Sequence, residues 1–265
     1  WSAESDVFKR QKRYKRFFAD IKVKNMKQAQ EMIEDNISYV NFSPSEKLIS
    51  FYHGSAKNPN DLYHYDISNK KLLRLTNSMN PVIDKKHLGD AEIIRFNSFD
   101  GLEVPAIYYK PPQANLKNKV PSLVRVHGGP GGQARVGYRA STQFLVNNGY
   151  AVLDINNRGS SGYGKTFQTL DDQAHSKGDL DDCVAAIDWL KNQSHIDGEK
   201  IGILGGSYGG YMVMAAMTFR PNAFDVGVNI FGVTNWVRTL KSIPPWWEAT
   251  RESLYRELGL SLIHI

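Results

Sequence analysis

Apolar and polar positions follow two different rhythms along this chain, with a change near residue 110. Residues 37–42, 47–52, 61–67 and 71–75 alternate or are rich in β-branched and aromatic side chains, the period-2 pattern of half-buried strands. Ser43-Pro44-Ser45, the polar run 54–60 and Ser68-Asn69 separate them as turns. Before them, Met26, Ala29, Met32 and Ile33 give residues 12–34 a helical apolar stripe. Residues 77–88 read as a linker, and strands at 92–96 and 102–109 flank Asp100-Gly101, a hairpin turn signal. After Pro111-Pro112 strands alternate with helices: strand 122–127, helix 142–147, strand 151–155, helix 180–191, strand 200–204, helix 208–219 and strand 225–231. The helix at 180–191 places Leu180, Val184, Ile187 and Leu190 on one face. Such alternation predicts a mostly parallel sheet covered by helices on both faces.

Composition adds boundaries to this picture. Apolar residues at 41% and charged residues at 23% are those of a globular chain rather than a disordered one. No apolar run reaches the roughly 18 residues of a membrane-spanning helix. The single cysteine, Cys183, excludes an internal disulfide and a cysteine-based zinc site. A net charge of +6 raises the question of nucleic acid. Residues 1–27, however, carry nine Lys/Arg against three acids, and that difference accounts for the whole excess. Lysine plus arginine balances the acids over the remaining residues, and no nucleic-acid-binding motif accompanies the basic segment. No nucleic-acid partner is expected. The chain begins at Trp1, so compartment is left open between cytoplasm and periplasm.

The chemistry lies in the second half. Gly205-Gly206-Ser207-Tyr208-Gly209 sits between a predicted strand and a predicted helix, the context in which Gly-x-Ser-x-Gly forms a nucleophile elbow. Glycines two positions either side of Ser207 remove the Cβ atoms that would clash in so tight a turn. A dinucleotide fingerprint needs Gly-x-Gly-x-x-Gly, which the Gly202, Gly205 and Gly209 spacing does not supply. Ser207 is therefore the candidate nucleophile. His127-Gly128-Gly129-Pro130 follows another strand, where the second oxyanion loop of a hydrolase stands. Backbone N–H groups of Tyr208 and of Gly128 or Gly129 are the candidate oxyanion donors, with His127 supporting the loop. Arg158, in Asn157-Arg158-Gly159-Ser160-Ser161, has two readings: substrate orientation, or a buried salt bridge that holds the loop, the second preferred. Ser160 and Ser161 lack the flanking geometry of a nucleophile. Trp246 and Trp247 either line a substrate cleft or pack under a loop. The chemistry calls for no metal or organic cofactor.

Four segments in this order resemble the peptidase domain of the prolyl oligopeptidase family: 127–130, 157–164, Gly178 to Asp182, and 205–211. Within it the chain is similar to acylaminoacyl peptidases and dipeptidyl aminopeptidase-like members, over roughly residues 36–258. The resemblance implies an α/β-hydrolase fold preceded by the last blade of a β-propeller, and a peptide substrate cleaved through an acyl-enzyme. The expected division is a basic segment at 1–35, a blade at 36–78, a hydrolase domain at 79–258 and a non-native tail at 259–265. Residues 260–265, and less closely 6–11, resemble translated sequencing adaptor. The resemblance places the triad aspartate and histidine beyond residue 258. Asp225 is read as a strand-entry residue and His264 as unpositioned, so neither is taken as a triad member. A truncated, nearly inactive piece of a serine peptidase is expected. The alternatives are a serine esterase or lipase, which would lack a propeller, and a non-catalytic binding module that has lost its base.

Overall fold

The computed structural model describes residues 36–259, so the predicted helix at 12–34 and the tail from residue 260, with His264, lie outside the described residues. Two compact units result. One runs to Asp84 and includes Val136–Arg139; the other holds Lys85–Arg135 and the chain from Ala140.

The first unit contains β1 (Asn36–Phe42), β2 (Leu48–Gly54), β3 (Asp61–Asp66) and β4 (Lys71–Arg74), an antiparallel meander in sequence order. Ile49, Phe51 and Tyr65 are buried and gather Ile37, Val40, Phe42, Tyr63 and Leu72 around them. The β3–β4 turn is set by Asp66, whose Oδ1 accepts the N–H groups of Ser68 and Asn69. Buried Asp61 accepts from the Thr76 hydroxyl and the Ser78 N–H, both at 2.8 Å, and pairs with Arg74. That network keeps the chain through Ser78 attached to the sheet. A four-stranded antiparallel meander of this kind fits a propeller blade.

The second unit is a six-stranded sheet in the order β10-β9-β7-β8-β6-β5. Its strands are β5 (Ala91–Asn97), β6 (Glu103–Tyr109), β7 (Val120–Val126), β8 (Ala151–Ile155), β9 (Ile196–Gly206) and β10 (Val226–Ile230). β8, β7, β9 and β10 are mutually parallel, while the β5–β6 hairpin joins antiparallel through β6 and β8. The helices are α1 (Ala140–Asn147), α2 (Lys165–Gln168), α3 (Gly178–Lys191), α4 (Tyr208–Phe219), α5 (Trp236–Lys241) and α6 (Glu248–Leu258). Residues of one parity, including Val124, Val126, Leu153, Ile155, Ile201 and Ile203, pack with Leu180, Cys183, Leu190 and Met212 from α3 and α4. Side chains alternate between sheet faces, so Arg125 and Asp154 point the other way. There they form a salt bridge, and Arg125 also donates to Thr142 of α1. Helices therefore cover both faces.

The expected strands and helices are present with shifted ends. β9 begins at Ile196, four residues early, because Ile196 pairs with Val120 beyond a register irregularity. α2, α5 and α6 were not expected. α6 reads Glu-Ala-Thr-Arg-Glu-Ser-Leu-Tyr-Arg-Glu-Leu, predominantly polar, and ends at Gly259 in the left-handed conformation. No helix among the described residues is long and apolar enough to cross a membrane.

Cys183 tests the packing of α3 against the sheet. It is fully buried, and burial first, then Asp179 and Asp182, pushes its thiol well above the ordinary range. The chain should be inert to a thiol-disulfide reagent in native buffer and titrate one thiol in denaturant. Rapid native reaction would mean that α3 is not seated as described.

Candidate active site

Between the last strand residue Gly206 and the first helical residue Tyr208, Ser207 has φ 55° and ψ −118°. A non-glycine residue at positive φ costs about 1–3 kcal/mol and persists only where its surroundings enforce it. Here they do. A Cβ on Gly209 would lie 2.1 Å from the Val126 carbonyl oxygen, and one on Gly205 would lie 2.3 Å from that of Gly209. Ser207 N–H donates to Ile230 at 3.0 Å, and its carbonyl accepts from Tyr211 at 3.1 Å. Ser207 itself is exposed while Tyr208, Gly209 and Gly210 are buried. The turn thus lifts one hydroxyl out of a sealed strand-to-helix junction, at the positive end of a 12-residue helix. Among the described residues no histidine or carboxylate is hydrogen-bonded to its Oγ.

The loop after β7 comes to the same place. A Cβ on Gly128 would sit 3.4 Å from that of Ser207 and 3.9 Å from Ser207 Oγ. Gly129 has φ 144°, a conformation that L side chains rarely adopt, and a Cβ there would meet Gly132 N at 2.4 Å. Ser207, Tyr208 and Gly128 are therefore neighbours, with Gly129 next in the loop. His127 Nε2 lies 2.8 Å from Ser160 Oγ and its Nδ1 2.8 Å from the Gly128 carbonyl. Because Ser160 gives its one hydrogen to the Asn157 carbonyl at 2.6 Å, it accepts from His127 Nε2–H. Ser160 is buried and occupied as a loop fastener. Ser161 binds the Gly132 carbonyl through its N–H at 2.9 Å. Asp225 accepts the Ile201 N–H at 2.8 Å, as a strand-entry residue. Trp246 and Trp247 are exposed, so neither packs under a loop.

Arg158 is buried. Its Nε and Nη2 bind Asp182 at 3.0 and 2.9 Å, and Nη1 and Nη2 bind Asp100 at 2.9 and 3.0 Å. Its backbone N–H also reaches Asp182, and its guanidinium lies 4.9 Å from the centre of the Phe99 ring. Burial alone would lower its pKa, but the hydrogen bonds it donates to Asp182 and then Asp100 outweigh it and raise it. These contacts tie the loop after β8 to α3 and to the β5–β6 turn, the loop-holding geometry.

Sequence reasoning assigned no role to His175, Asp171 or Asp179. The Tyr208 hydroxyl donates to Asp179 Oδ2 and lies 2.8 Å from His175 Nδ1. His175 has a 6% exposed side chain, with Asp171 Oδ2 3.3 Å and Asp179 Oδ2 3.6 Å from Nδ1. Burial pulls its pKa down, but hydrogen bonds and charge from Asp171 and Asp179 prevail and raise it to about 9. Ligand atoms of Asp171, His175 and Asp179 converge within 4.8 Å, as a metal site requires. The phenol oxygen already binds two of the three, and a protonated imidazole supplies the positive charge.

Four parallel strands, helices on both faces and a serine on a left-handed strand-to-helix turn define an α/β-hydrolase fold. A family model described as prolyl oligopeptidase family matches residues 136–259. The chain belongs to that family. It is 34% identical over 213 residues to dipeptidyl aminopeptidase BIII of Pseudoxanthomonas mexicana, covering 78% of this chain and 31% of that protein. It is 30% identical over 258 residues to dipeptidyl peptidase family member 6 of Caenorhabditis elegans, covering 90% and 34%. A solved structure of Pyrococcus horikoshii acylaminoacyl peptidase superposes with a TM-score of 0.74 at 25% identity, covering 88% of this chain and 36% of that one. The chain thus spans about a third of the length of the curated relatives it matches.

Two stability measurements test these networks. Arg158→Met strips Asp182 of its cation and should cost about 3–5 kcal/mol in denaturant unfolding. A cost below about 1 kcal/mol would show that the loop does not depend on it. His175 has a raised folded pKa, so its contribution is full below about pH 6.5 and lost as pH rises through about 9. Wild type should lose up to about 3 kcal/mol across that window, with a flatter profile for His175→Gln. Parallel profiles would show that His175 is not held protonated.

Proposed function

We propose that this chain carries the nucleophile half of a serine peptidase that hydrolyses short peptides through an acyl-enzyme on Ser207. The observation that carries the reading is the exposed Ser207 hydroxyl on an enforced left-handed turn with Gly128 against it. Ser207 Oγ attacks the peptide carbonyl carbon, and its proton passes to a base outside the described residues. The carbonyl oxygen, now negative, accepts N–H groups of Tyr208 and of Gly128 or Gly129. Collapse expels the amine, which takes the proton, and leaves the acyl group as an ester on Ser207. Water then attacks that ester, releases the acid and restores the hydroxyl. The elbow and oxyanion loop do not choose between ester and amide. The blade-like meander ahead of the hydrolase unit, and relatives named as dipeptidyl peptidases, favour the peptidase over a simple esterase.

With no base on Ser207 among the described residues, its hydroxyl keeps a high pKa. This chain on its own should be nearly silent, and a longer protein containing it should be active. The test is fluorophosphonate labelling of both, each beside Ser207→Ala. Labelling of the longer protein that disappears in Ser207→Ala supports the nucleophile. A folded longer protein that stays unlabelled sinks the hydrolase reading in favour of a binding module. Equal labelling of the short chain would place a working base within these 265 residues.

A further inference from the structure

The chemistry proposed for Ser207 uses the backbone of Tyr208 and leaves its side chain unexplained. That side chain is fully buried and reaches away from the serine into the charged cluster. Its ring is wedged between His175, Tyr211 and Trp236, with centroid separations of 5.4, 5.6 and 6.1 Å. The phenol has one hydrogen, which goes to Asp179 Oδ2, so its oxygen accepts from His175 Nδ1–H. Asp179 is itself fixed: its Oδ1 accepts the N–H groups of Lys177 and Leu180 at 2.9 Å, at the first turn of α3. Beyond His175 stands Asp171, buried, with its Oδ2 3.3 Å from Nδ1. It is pressed against Gly159, where a Cβ would lie 2.0 Å from Oδ2.

We infer that His175, the Tyr208 hydroxyl and Asp179 form a relay of hydrogen bonds that positions the Tyr208 backbone N–H as an oxyanion donor. A tyrosine has two side-chain torsions, so it acts as a short rigid rod with little freedom once buried. Here one end of the rod is the first residue of α4 and the other is anchored on α3. Freeing the hydroxyl end lets the ring, and with it the N–H beside Ser207, settle elsewhere. His175 and Tyr208 are positioning residues by their side chains, not groups that touch substrate. The inference rests on the reading of Ser207 as nucleophile.

The relay depends on the proton at Nδ1. The groups around it are Asp171 and Asp172 from the preceding loop, Asp179 from α3, Tyr208 and Tyr211 from α4, and Glu257 from α6, with Arg256 acting on Asp172. They are predominantly acidic, which favours the protonated ring. Among the described residues Nε2 has no hydrogen-bond partner, so a neutral ring keeps its one hydrogen on Nδ1 and the donor to the phenol oxygen remains.

The experiment is steady-state hydrolysis of a short peptidyl 4-nitroanilide by the longer protein that contains this chain. Wild type, Ser207→Ala, Tyr208→Phe and His175→Gln are compared from pH 6 to 10. Removing a whole oxyanion donor costs about 100- to 1,000-fold in kcat, so displacing one should cost about 10-fold or more with KM nearly unchanged. Tyr208→Phe and His175→Gln should show that loss. Unchanged kcat in Tyr208→Phe, or a loss that appears in KM rather than kcat, overturns the relay while a dead Ser207→Ala leaves the nucleophile standing. Activity retained by Ser207→Ala defeats the nucleophile reading instead. Should His175→Gln fail to fold, Tyr208→Phe, which loses a single oxygen, decides alone.

Discussion

Everything at the site depends on one close approach: the Cα of Gly209 against the backbone carbonyl of Val126. No side chain fits between them, so the start of α4 is pressed onto the end of β7. That contact forces the turn at Ser207 into the left-handed region and leaves its side chain nowhere to go but outward. It also brings the loop that leaves β7 beside the serine, because Val126 is followed directly by His127 and Gly128. Candidate nucleophile and candidate oxyanion loop are thus placed by the same contact rather than by two separate devices. The local cost of φ 55° at Ser207 is offset by the hydrogen bonds it donates to Ile230 and accepts from Tyr211, which close the junction.

Helix α3 braces this arrangement from the side. Asp179 and Asp182 stand three residues apart and so lie on neighbouring turns of one face. Asp179 holds the elbow through Tyr208, and Asp182 holds the loop after β8 through Arg158. Both carboxylates are fully buried, a placement that is costly unless each is multiply hydrogen-bonded. Each is: Asp179 by two backbone N–H groups and a phenol, Asp182 by the Arg158 side chain, its backbone N–H and Ser98. Such networks act as geometric clamps, since a shifted loop would leave a charge unpaired.

The elbow was legible in the sequence because its cause is local: glycines at fixed offsets from a serine, between a strand and a helix. The alternating sheet and its helices were legible for the same reason. What escaped has non-local or unpatterned causes. Asp182 and Arg158 are 24 residues apart, and Asp179 and Tyr208 are 29 apart, so no spacing rule links them. The preference for a salt bridge at Arg158 fits the observed geometry, but its partners were not named. His175 offers no helical signal, because α3 begins only at Gly178. Helix α6 is predominantly polar, and the early start of β9 reflects pairing with Val120 that only the folded sheet defines.

The charges around the elbow also say how an oxyanion would be met. Arg158 faces two carboxylates, Asp100 and Asp182, and His175 faces two more, Asp171 and Asp179. Neither cation has charge left over for a substrate. The net charge of +6 resides in the first 27 residues of the sequence, away from these motifs along the chain. On the reading proposed for Ser207, a developing negative oxygen would meet oriented backbone N–H dipoles at the start of α4 and in the Gly128 loop, and neither Arg158 nor His175. Dipoles of this kind need little reorganisation during reaction, but they lose their effect with small displacements. That dependence on placement is why a junction with no room for a single Cβ, braced by buried ion pairs on α3, suits this chemistry.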